Sequence, residues 1–166
     1  MRRSKSFTLI EILVVATIIV LLAGAAAVSY SELNKKSRNA KRKADLEQIR
    51  LALELFRDEV GRYPVSSVFY NFCSDNNPIP NHIFYAKYLR KPPKDPKCPD
   101  YTYGYRPTRG DGITDCQNRL NPLDYSTWCQ DYTLGAFLEG ESSTCSAEIN
   151  CGIRNCNYCV GPMGKK

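Results

Sequence analysis

A long apolar run near the N-terminus constrains this chain more than any other feature. Residues 7–28 are almost entirely apolar, with Thr8, Glu11 and Thr17 as the clearly polar members. As a helix, a run of this length spans roughly the 30 Å hydrocarbon core of a bilayer. The run is therefore either a membrane anchor or a signal peptide cut in the alanine-rich stretch 23–27, and in both cases the rest of the chain is exported.

The carboxylate inside this run needs an explanation. Glu11 lies close to the start of the apolar residues, and burying such a group alone at the bilayer centre costs on the order of 2.5–3.5 kcal/mol. A side chain near a helix end can reach the headgroups, which is the simpler interpretation. The sharper hypothesis is that Glu11 has a charged partner, and a second copy of the chain can supply one where lipid cannot.

Basic residues border the apolar run on both sides. Those before it are Arg2, Arg3 and Lys5, and those after it are Lys35, Lys36, Arg38, Lys41, Arg42 and Lys43. The net charge of the whole chain is +6. Because both clusters flank a hydrophobic segment, anionic lipid explains them more simply than nucleic acid. For the second cluster, a solvated helix face is the default, and the phosphates of DNA are an alternative without further support.

After the membrane segment the apolar pattern becomes helical. Its members are Leu46, Ile49, Leu53, Phe56 and Val60, with Ala44, Ala52 and Leu55 widening the stripe. Intervals of three and four residues place such side chains on one face of a helix. Gly61 and Pro64 then act as stop signals. The sequence predicts one helix from about residue 7 to residue 60.

The remaining sequence is typical of a small β domain. All ten prolines lie at or after Pro64. Residues 101–105 and 131–138 are predicted strands, residues 110–112 a turn, residues 82–89 a short helix or irregular segment, and the last 26 residues a stapled loop. The predicted fold class is α+β, with a long N-terminal helix, transmembrane in its first half, packed on a small antiparallel β-sheet with disulfide-stapled C-terminal loops.

The cysteines indicate an oxidising compartment. There are eight, at Cys73, Cys98, Cys116, Cys129, Cys145, Cys151, Cys156 and Cys159, all in the exported part. An even number there predicts a disulfide framework, although the sequence does not choose the pairing. Cys156 and Cys159 have the spacing of a redox or zinc pair. No βαβ pattern and no regularly spaced second pair accompany them, so structural disulfides are favoured.

The N-terminal residues resemble the type IV pilins and the pseudopilins of type II secretion. The family signature is a short basic leader, a small residue, then Phe-Thr-Leu-Ile-Glu and an apolar helix, which stand here at residues 2–6 and 7–11. A weaker similarity to the major pseudopilin extends from residue 44 to about residue 105. The resemblance implies that a prepilin peptidase cuts between Ser6 and Phe7 and N-methylates Phe7, and that Glu11 pairs with the Phe7 amine of a neighbouring subunit. The family typically has glycine where this chain has Ser6.

The same resemblance implies a structural filament subunit and not an enzyme. The expected parts are a leader at residues 1–6, a transmembrane and filament-core helix at 7–30, its amphipathic continuation at 31–62 and a cysteine-rich globular β domain at 63–166. The expected partners are further copies in a helical homopolymer, the prepilin peptidase, a membrane platform protein, an assembly ATPase and inner-membrane lipid. The chain would be a single-pass protein of the cytoplasmic membrane before assembly and an extracellular or periplasmic filament afterwards.

Two questions stay open from the residues. Major pseudopilins hold calcium in a C-terminal loop, which makes Asp111 and Asp115 candidate ligands, with Asp124 as a further one; an ordinary Asp-Gly turn is the simpler interpretation because six or more ligands are usual. His82 is the single histidine, so multi-histidine metal sites and His-based triads are excluded. The alternative function is a membrane-anchored, disulfide-rich binding or adhesion module that does not polymerise, in which Glu11 would have no role.

Overall fold

A computed structural model of the chain describes residues 8–66, 73, 84–116, 128–145 and 148–165. The chain divides into two compact units, Met1–Ser37 and Arg38–Lys166. Ser6, Phe7, His82 and Asp124 lie outside the described residues. Within the first unit the described residues from Leu9 onward are helical, and the second unit contains the hydrophobic core and the sheet.

Helix α1 spans Leu9–Val60 and contributes residues to both units. It ends at Gly61, which adopts a φ of 79° and donates its N–H to the carbonyl of Arg57 at 2.7 Å. Glycine enters this left-handed conformation without the steric cost that a Cβ would bring, and the added hydrogen bond satisfies one of the last helical carbonyls. The single long helix expected from the sequence is confirmed.

The core of the second unit forms on one face of α1. Leu46, Ile49 and Leu53 are fully buried, and Ala52 and Phe56 nearly so. The expectation that Ala44 and Leu55 widen this stripe was wrong, because both are exposed. At about 100° per residue these two positions point away from the centre of the buried face. An apolar residue on this helix therefore does not always belong to the core.

The sheet has four antiparallel strands in the order β1-β2-β3-β4. They are β1 Gly104–Thr108, β2 Asp131–Ala136, β3 Tyr158–Gly161 and β4 Gly164–Lys165. A short π-helical turn, Phe84–Tyr88, precedes them and contributes buried Phe84 and Tyr85 to the core. Phe84 meets Phe56 of α1 edge to face, with ring centroids 5.6 Å apart. The small antiparallel sheet packed with a long helix confirms the predicted α+β fold.

The first strand begins later than the sequence predicts. Tyr101 forms an isolated bridge with Gly152, and the Thr102 N–H donates to the Cys151 carbonyl at 3.2 Å. The backbone expected to start β1 is thus paired with the C-terminal loop instead. The strand then continues through Pro107, which is tolerated because β1 is an edge strand and a missing N–H there breaks no ladder.

The last 26 residues are more ordered than a stapled loop, because they contain β3 and β4. The predicted strand 131–138 also ends early, at Ala136. The buried Asn157 side chain explains this. Its amide oxygen accepts from the Leu138 N–H at 2.6 Å, and its amide nitrogen donates to the Leu138 and Glu141 carbonyls at 2.8 and 2.9 Å. A side-chain amide here replaces the strand-to-strand ladder.

All eight cysteines are paired. The disulfides are Cys73–Cys98, Cys116–Cys129, Cys145–Cys159 and Cys151–Cys156. Cys156 and Cys159 therefore belong to different bridges and do not form a redox pair with each other. Cys151, Cys156 and Cys159 are buried together with Ile149 in a small second cluster beside the sheet.

Candidate assembly site

The first residues of α1 form a capping box. The Glu11 carboxylate accepts from the Thr8 N–H at 2.9 Å and from the Thr8 hydroxyl at 2.7 Å, while the Glu11 N–H donates to that hydroxyl oxygen at 3.3 Å. This reciprocal arrangement satisfies N–H groups that have no partner inside the helix. Glu11 therefore has a local role in starting the helix, which sequence reasoning did not consider, although Thr-x-x-Glu is a recognisable signal.

The Glu11 side chain is exposed, as are the apolar side chains that follow it. Ile12, Leu13, Val15, Ile18, Ile19 and Leu22 each leave half or more of their surface uncovered. Within the described residues, α1 is the one helix long and apolar enough to cross a membrane. A surface of this kind needs lipid or protein to cover it, because a soluble monomer rarely exposes so large an apolar patch.

At the other side of the unit boundary, α1 is fixed to the globular unit by a buried ionic network. The Arg42 guanidinium is fully buried and donates to both carboxylate oxygens of Asp95, at 2.7 and 2.9 Å. It also donates to Glu139 at 3.0 Å and to the side-chain oxygen of Asn39 at 3.2 Å. Two-pronged binding of this kind is the strongest geometry available to arginine and a carboxylate.

Glu139 is the second centre of this network. It accepts from Arg38 at 2.7 and 2.8 Å and from Lys97 at 2.8 Å, in addition to Arg42. The hydrogen bonds from Arg38 hold the pKa of the Glu139 carboxyl well below its usual range, with further contributions from Lys97 and Arg42. Glu139 is thus a permanent anion at neutral pH that joins α1 to the turn after β2.

The basic cluster after the apolar run is largely used within the chain. Arg38 and Arg42 bind Glu139 and Asp95, and the Lys43 amine lies 3.1 Å from Glu141. Neither Asp95 nor Glu139 had been linked to these cations by sequence reasoning, because the pairs are separated by at least 53 positions along the chain. The default interpretation, a solvated helix face, fails for buried Arg42 and for Arg38, whereas Lys43 and Glu141 form an exposed surface pair that is consistent with it.

The two candidate calcium ligands both bind protein groups. Asp111 accepts from the N–H groups of Ile113 and Thr114 at 2.9 Å and from the Thr114 hydroxyl. These hydrogen bonds, that of the hydroxyl first, lower the pKa of Asp111 to about 2. Asp115 pairs with Arg106 at 2.8 Å. Within the described ranges no group of three or more His, Cys, Asp or Glu side chains is placed to hold a metal ion, and the calcium hypothesis stays a prediction.

Comparisons with known proteins agree with the two parts of the chain. Residues 1–27 match the family described as the prokaryotic N-terminal methylation motif, and residues 30–115 match the family described as type II secretion system protein G. A relative from Vibrio cholerae serotype O1, named type II secretion system core protein G, is 28% identical over 105 residues, which cover 62% of this chain and 72% of the relative. No solved structure matches the chain.

The methylation motif covers the start of the chain. The match to protein G covers about half of the whole chain, from the end of the apolar run to the loop after β1. A long apolar N-terminal helix, a small antiparallel sheet and C-terminal disulfides are the fold that the resemblance implied. The chain therefore belongs to the family of the type II secretion protein G, among the pilin-like structural subunits known as pseudopilins.

Proposed function

We propose that this chain is made as a precursor, processed at its N-terminus and assembled into a pilus-like filament. A prepilin peptidase cuts between Ser6 and Phe7 and methylates the new Phe7 amine. The match of residues 1–27 to the N-terminal methylation motif supports this step. Before assembly, α1 anchors the chain in the cytoplasmic membrane with the globular unit exported, and the four disulfides agree with an oxidising compartment.

In the filament, the Glu11 carboxylate pairs with the Phe7 amine of a neighbouring copy. The observation that carries this proposal is that Glu11, exposed on an apolar helix, bonds only to Thr8 within the described part of the chain. A capping bond leaves room for a charged partner, because a carboxylate offers about four acceptor positions. In a low-dielectric helical bundle the removal of one member of such an ion pair costs about 3–5 kcal/mol.

The exposed apolar side chains of α1 supply the second part of this mechanism. In the filament these side chains pack against the same segment of neighbouring copies, so contacts with protein replace their contacts with lipid. The Glu11–Phe7 pair then fixes the axial register between copies. The filament would be periplasmic or extracellular, and its extension would depend on a membrane platform protein and a cytoplasmic ATPase. The chain itself carries out no chemical step in this scheme.

The processing step is tested by intact-mass and N-terminal peptide mass spectrometry on protein from its own membranes. A chain that begins with N-methylated Phe7 is the expected result. A chain that keeps Met1, or one that begins after the alanine-rich stretch near Ala27, would overturn the proposal in favour of an anchored or secreted binding module.

The role of the charge is tested separately from the role of the cap. Glu11→Gln keeps the hydrogen bond to the Thr8 N–H, since glutamine also serves in capping boxes, but it removes the negative charge. We expect processed chains and loss of sheared filaments. Thr17→Ala is the matched control, because it changes another polar residue of the apolar run, whose hydroxyl bonds only to the Val14 carbonyl of the same helix. If Glu11→Gln forms normal filaments, the charge of Glu11 is not needed for assembly and its role is limited to capping the helix.

A further inference from the structure

The second unit exposes two leucines that its own core does not use. Leu51 and Leu55 lie one turn apart on α1 and are 57% and 60% exposed, on the side of the helix that faces away from buried Leu53. Asp58 follows one turn later on the same face. Its exposed carboxylate has no hydrogen bond or ion pair to any residue that the structure describes. These three residues are called the leucine face below.

A loop elsewhere in the same unit carries the complementary groups. The Cys151–Cys156 disulfide closes a short loop whose tip presents Ile153, 69% exposed, next to exposed Arg154. The Arg154 guanidinium lies over the Phe137 ring, 5.4 Å from its centroid, and makes no ion pair within the described ranges. The tip therefore offers one large apolar side chain and one adjacent uncompensated cation.

This loop is held rigidly. Besides the disulfide, the Ile153 N–H donates to the Asp100 carbonyl at 3.0 Å, and the Cys151 N–H donates to the Arg154 carbonyl at 2.8 Å. Gly152 bridges to Tyr101 with a φ of 93°, where a Cβ would collide with the backbone of Asp100. A surface that is already ordered loses little conformational entropy on binding, which favours its use as a contact.

We propose that the tip of this loop docks on the leucine face of the next copy of the chain, with Ile153 against Leu51 and Leu55 and Arg154 against Asp58. The proposal rests on the proposed function, because it describes a contact within the filament. The two surfaces differ, so the contact is head-to-tail, and a head-to-tail contact that does not close into a ring repeats into an open helical polymer. The opposite charges also fix which way round the copies meet.

Among the described residues of the second unit, Ile113 is the other exposed isoleucine, and it is a poorer match for the leucine face. Ile113 is 75% exposed but lies between Asp111 and Asp115. Asp115 is paired with Arg106, but the Asp111 carboxylate would still approach Asp58 where the other loop brings a cation. Like charges placed together at an interface disfavour that pairing. This difference makes Ile113 a matched control for Ile153.

A photo-cross-linker shows directly which part of the neighbouring copy lies against the leucine face. The full chain, carrying benzoylphenylalanine in place of Leu55, is irradiated in sheared filaments, and cross-linked dimers are mapped by peptide mass spectrometry. We expect the adduct on the peptide that contains Ile153. An adduct on the peptides that contain Ile113 or Met163, or the absence of a dimer in filaments that form, would overturn the proposal.

Exchanging the charges of Asp58 and Arg154 tests their pairing independently of the cross-link. Asp58→Arg and Arg154→Asp are each expected to lower the yield of sheared filaments about tenfold, the loss typical of a central interface contact. The double variant restores the opposite charges and is expected to recover most of the yield. Ile153→Asp should lower the yield similarly, whereas Ile113→Asp should not. A double variant as defective as the single ones would overturn the pairing.

The two proposals fail in different ways. If wild-type chains keep Met1 or form no filaments, the proposed function falls and this contact falls with it. If wild-type chains begin with methylated Phe7 and form filaments, but the exchange and Ile153→Asp have no effect, the contact alone is wrong. Because all substituted side chains are exposed, a disulfide map and a thermal melt of each variant verify that the monomer fold is retained.

Discussion

Gly104 and Gly135 are paired directly across β1 and β2, and each has the sulfur of Cys156 close to the place where a Cβ would stand. The distances from an ideal Cβ to that sulfur are 2.9 Å at Gly104 and 2.7 Å at Gly135. The sulfur of Cys159, which belongs to the Cys145–Cys159 disulfide, lies 3.3 Å from the ideal Cβ of Gly135. The two glycines therefore leave the room in which two disulfides pack on the sheet.

Gly135→Ala is expected to destabilise the globular unit. The added methyl would meet both the Cβ and the sulfur of Cys156, and overpacking of this kind costs about 1–3 kcal/mol. Thermal melts of the full chain in detergent would measure the loss. Gly110→Ala is the control, because its methyl would meet chiefly the flexible end of the Gln130 side chain. Equal melting temperatures for Gly135→Ala and wild type would contradict the packing described.

Arg42→Met should be among the most destabilising single changes in α1. It removes the partner of Asp95, whose side chain is almost fully buried, and an unpaired buried carboxylate costs about 3–5 kcal/mol. Denaturant titration of the full chain would show the change. Lys43→Met removes a cation that pairs with half-exposed Glu141, and such pairs contribute about 1 kcal/mol or less. If both variants lose the same stability, the network around Arg42 is not the anchor of α1.

The network also predicts acid sensitivity. The pKa of Glu139 is lower in the folded chain than its ordinary value of 4.5, so the unfolded chain takes up its proton first as the pH falls. The stability that Glu139 contributes is therefore complete above pH 4.5 and is lost progressively below it. Melting temperatures between pH 7 and pH 3 should fall more steeply for wild type than for Glu139→Gln. Parallel curves for the two proteins would argue against this assignment.

Asn157→Ala is expected to loosen the end of the sheet. The Leu138 N–H and the Leu138 carbonyl, both buried, lose their partner, and each buried unsatisfied group costs about 1–3 kcal/mol. The part-buried Glu141 carbonyl also loses its hydrogen bond, at a smaller cost because water can replace it. Amide hydrogen exchange at Leu138 would rise, together with a lower melting temperature. Asn155→Ala, at an exposed position two residues earlier, should leave both measurements unchanged.

The helix, its stop at Gly61 and the β region could be predicted because local signals determine them. Apolar spacing, an uninterrupted run without proline and a glycine terminator all act within a few residues. The exposure of Leu55 could not be predicted, because a leucine at the border of the stripe looks the same in the sequence whether it packs in the core or faces another molecule. Its orientation became clear only from the position of the buried face.

The ionic network and β3 escaped prediction for a different reason. Arg42 and Asp95 are 53 positions apart, and nothing near either residue indicates the other. β3 is short and lies between glycines, asparagines and cysteines, which are typical of loops, and it forms because its backbone pairs with β2 and two disulfides fix its surroundings. At the candidate assembly site, the leader, Phe7 and Glu11 were predicted from a motif, whereas the capping bond between Thr8 and Glu11 was missed although its Thr-x-x-Glu signal is local.

All four disulfides join residues that follow α1, so no disulfide ties the helix to the sheet. In the proposed filament, a tensile load on the N-terminal part of a subunit would reach the globular unit by two routes. One is the peptide bond after Val60, and the other is the set of noncovalent contacts between α1 and the rest of that unit. Reduction of the disulfides would soften the loops without disconnecting that load path. If the chain forms the proposed filament, its resistance to such a load is expected to depend on the core around Leu46 and Leu53 and on the Arg42 network more than on its disulfides.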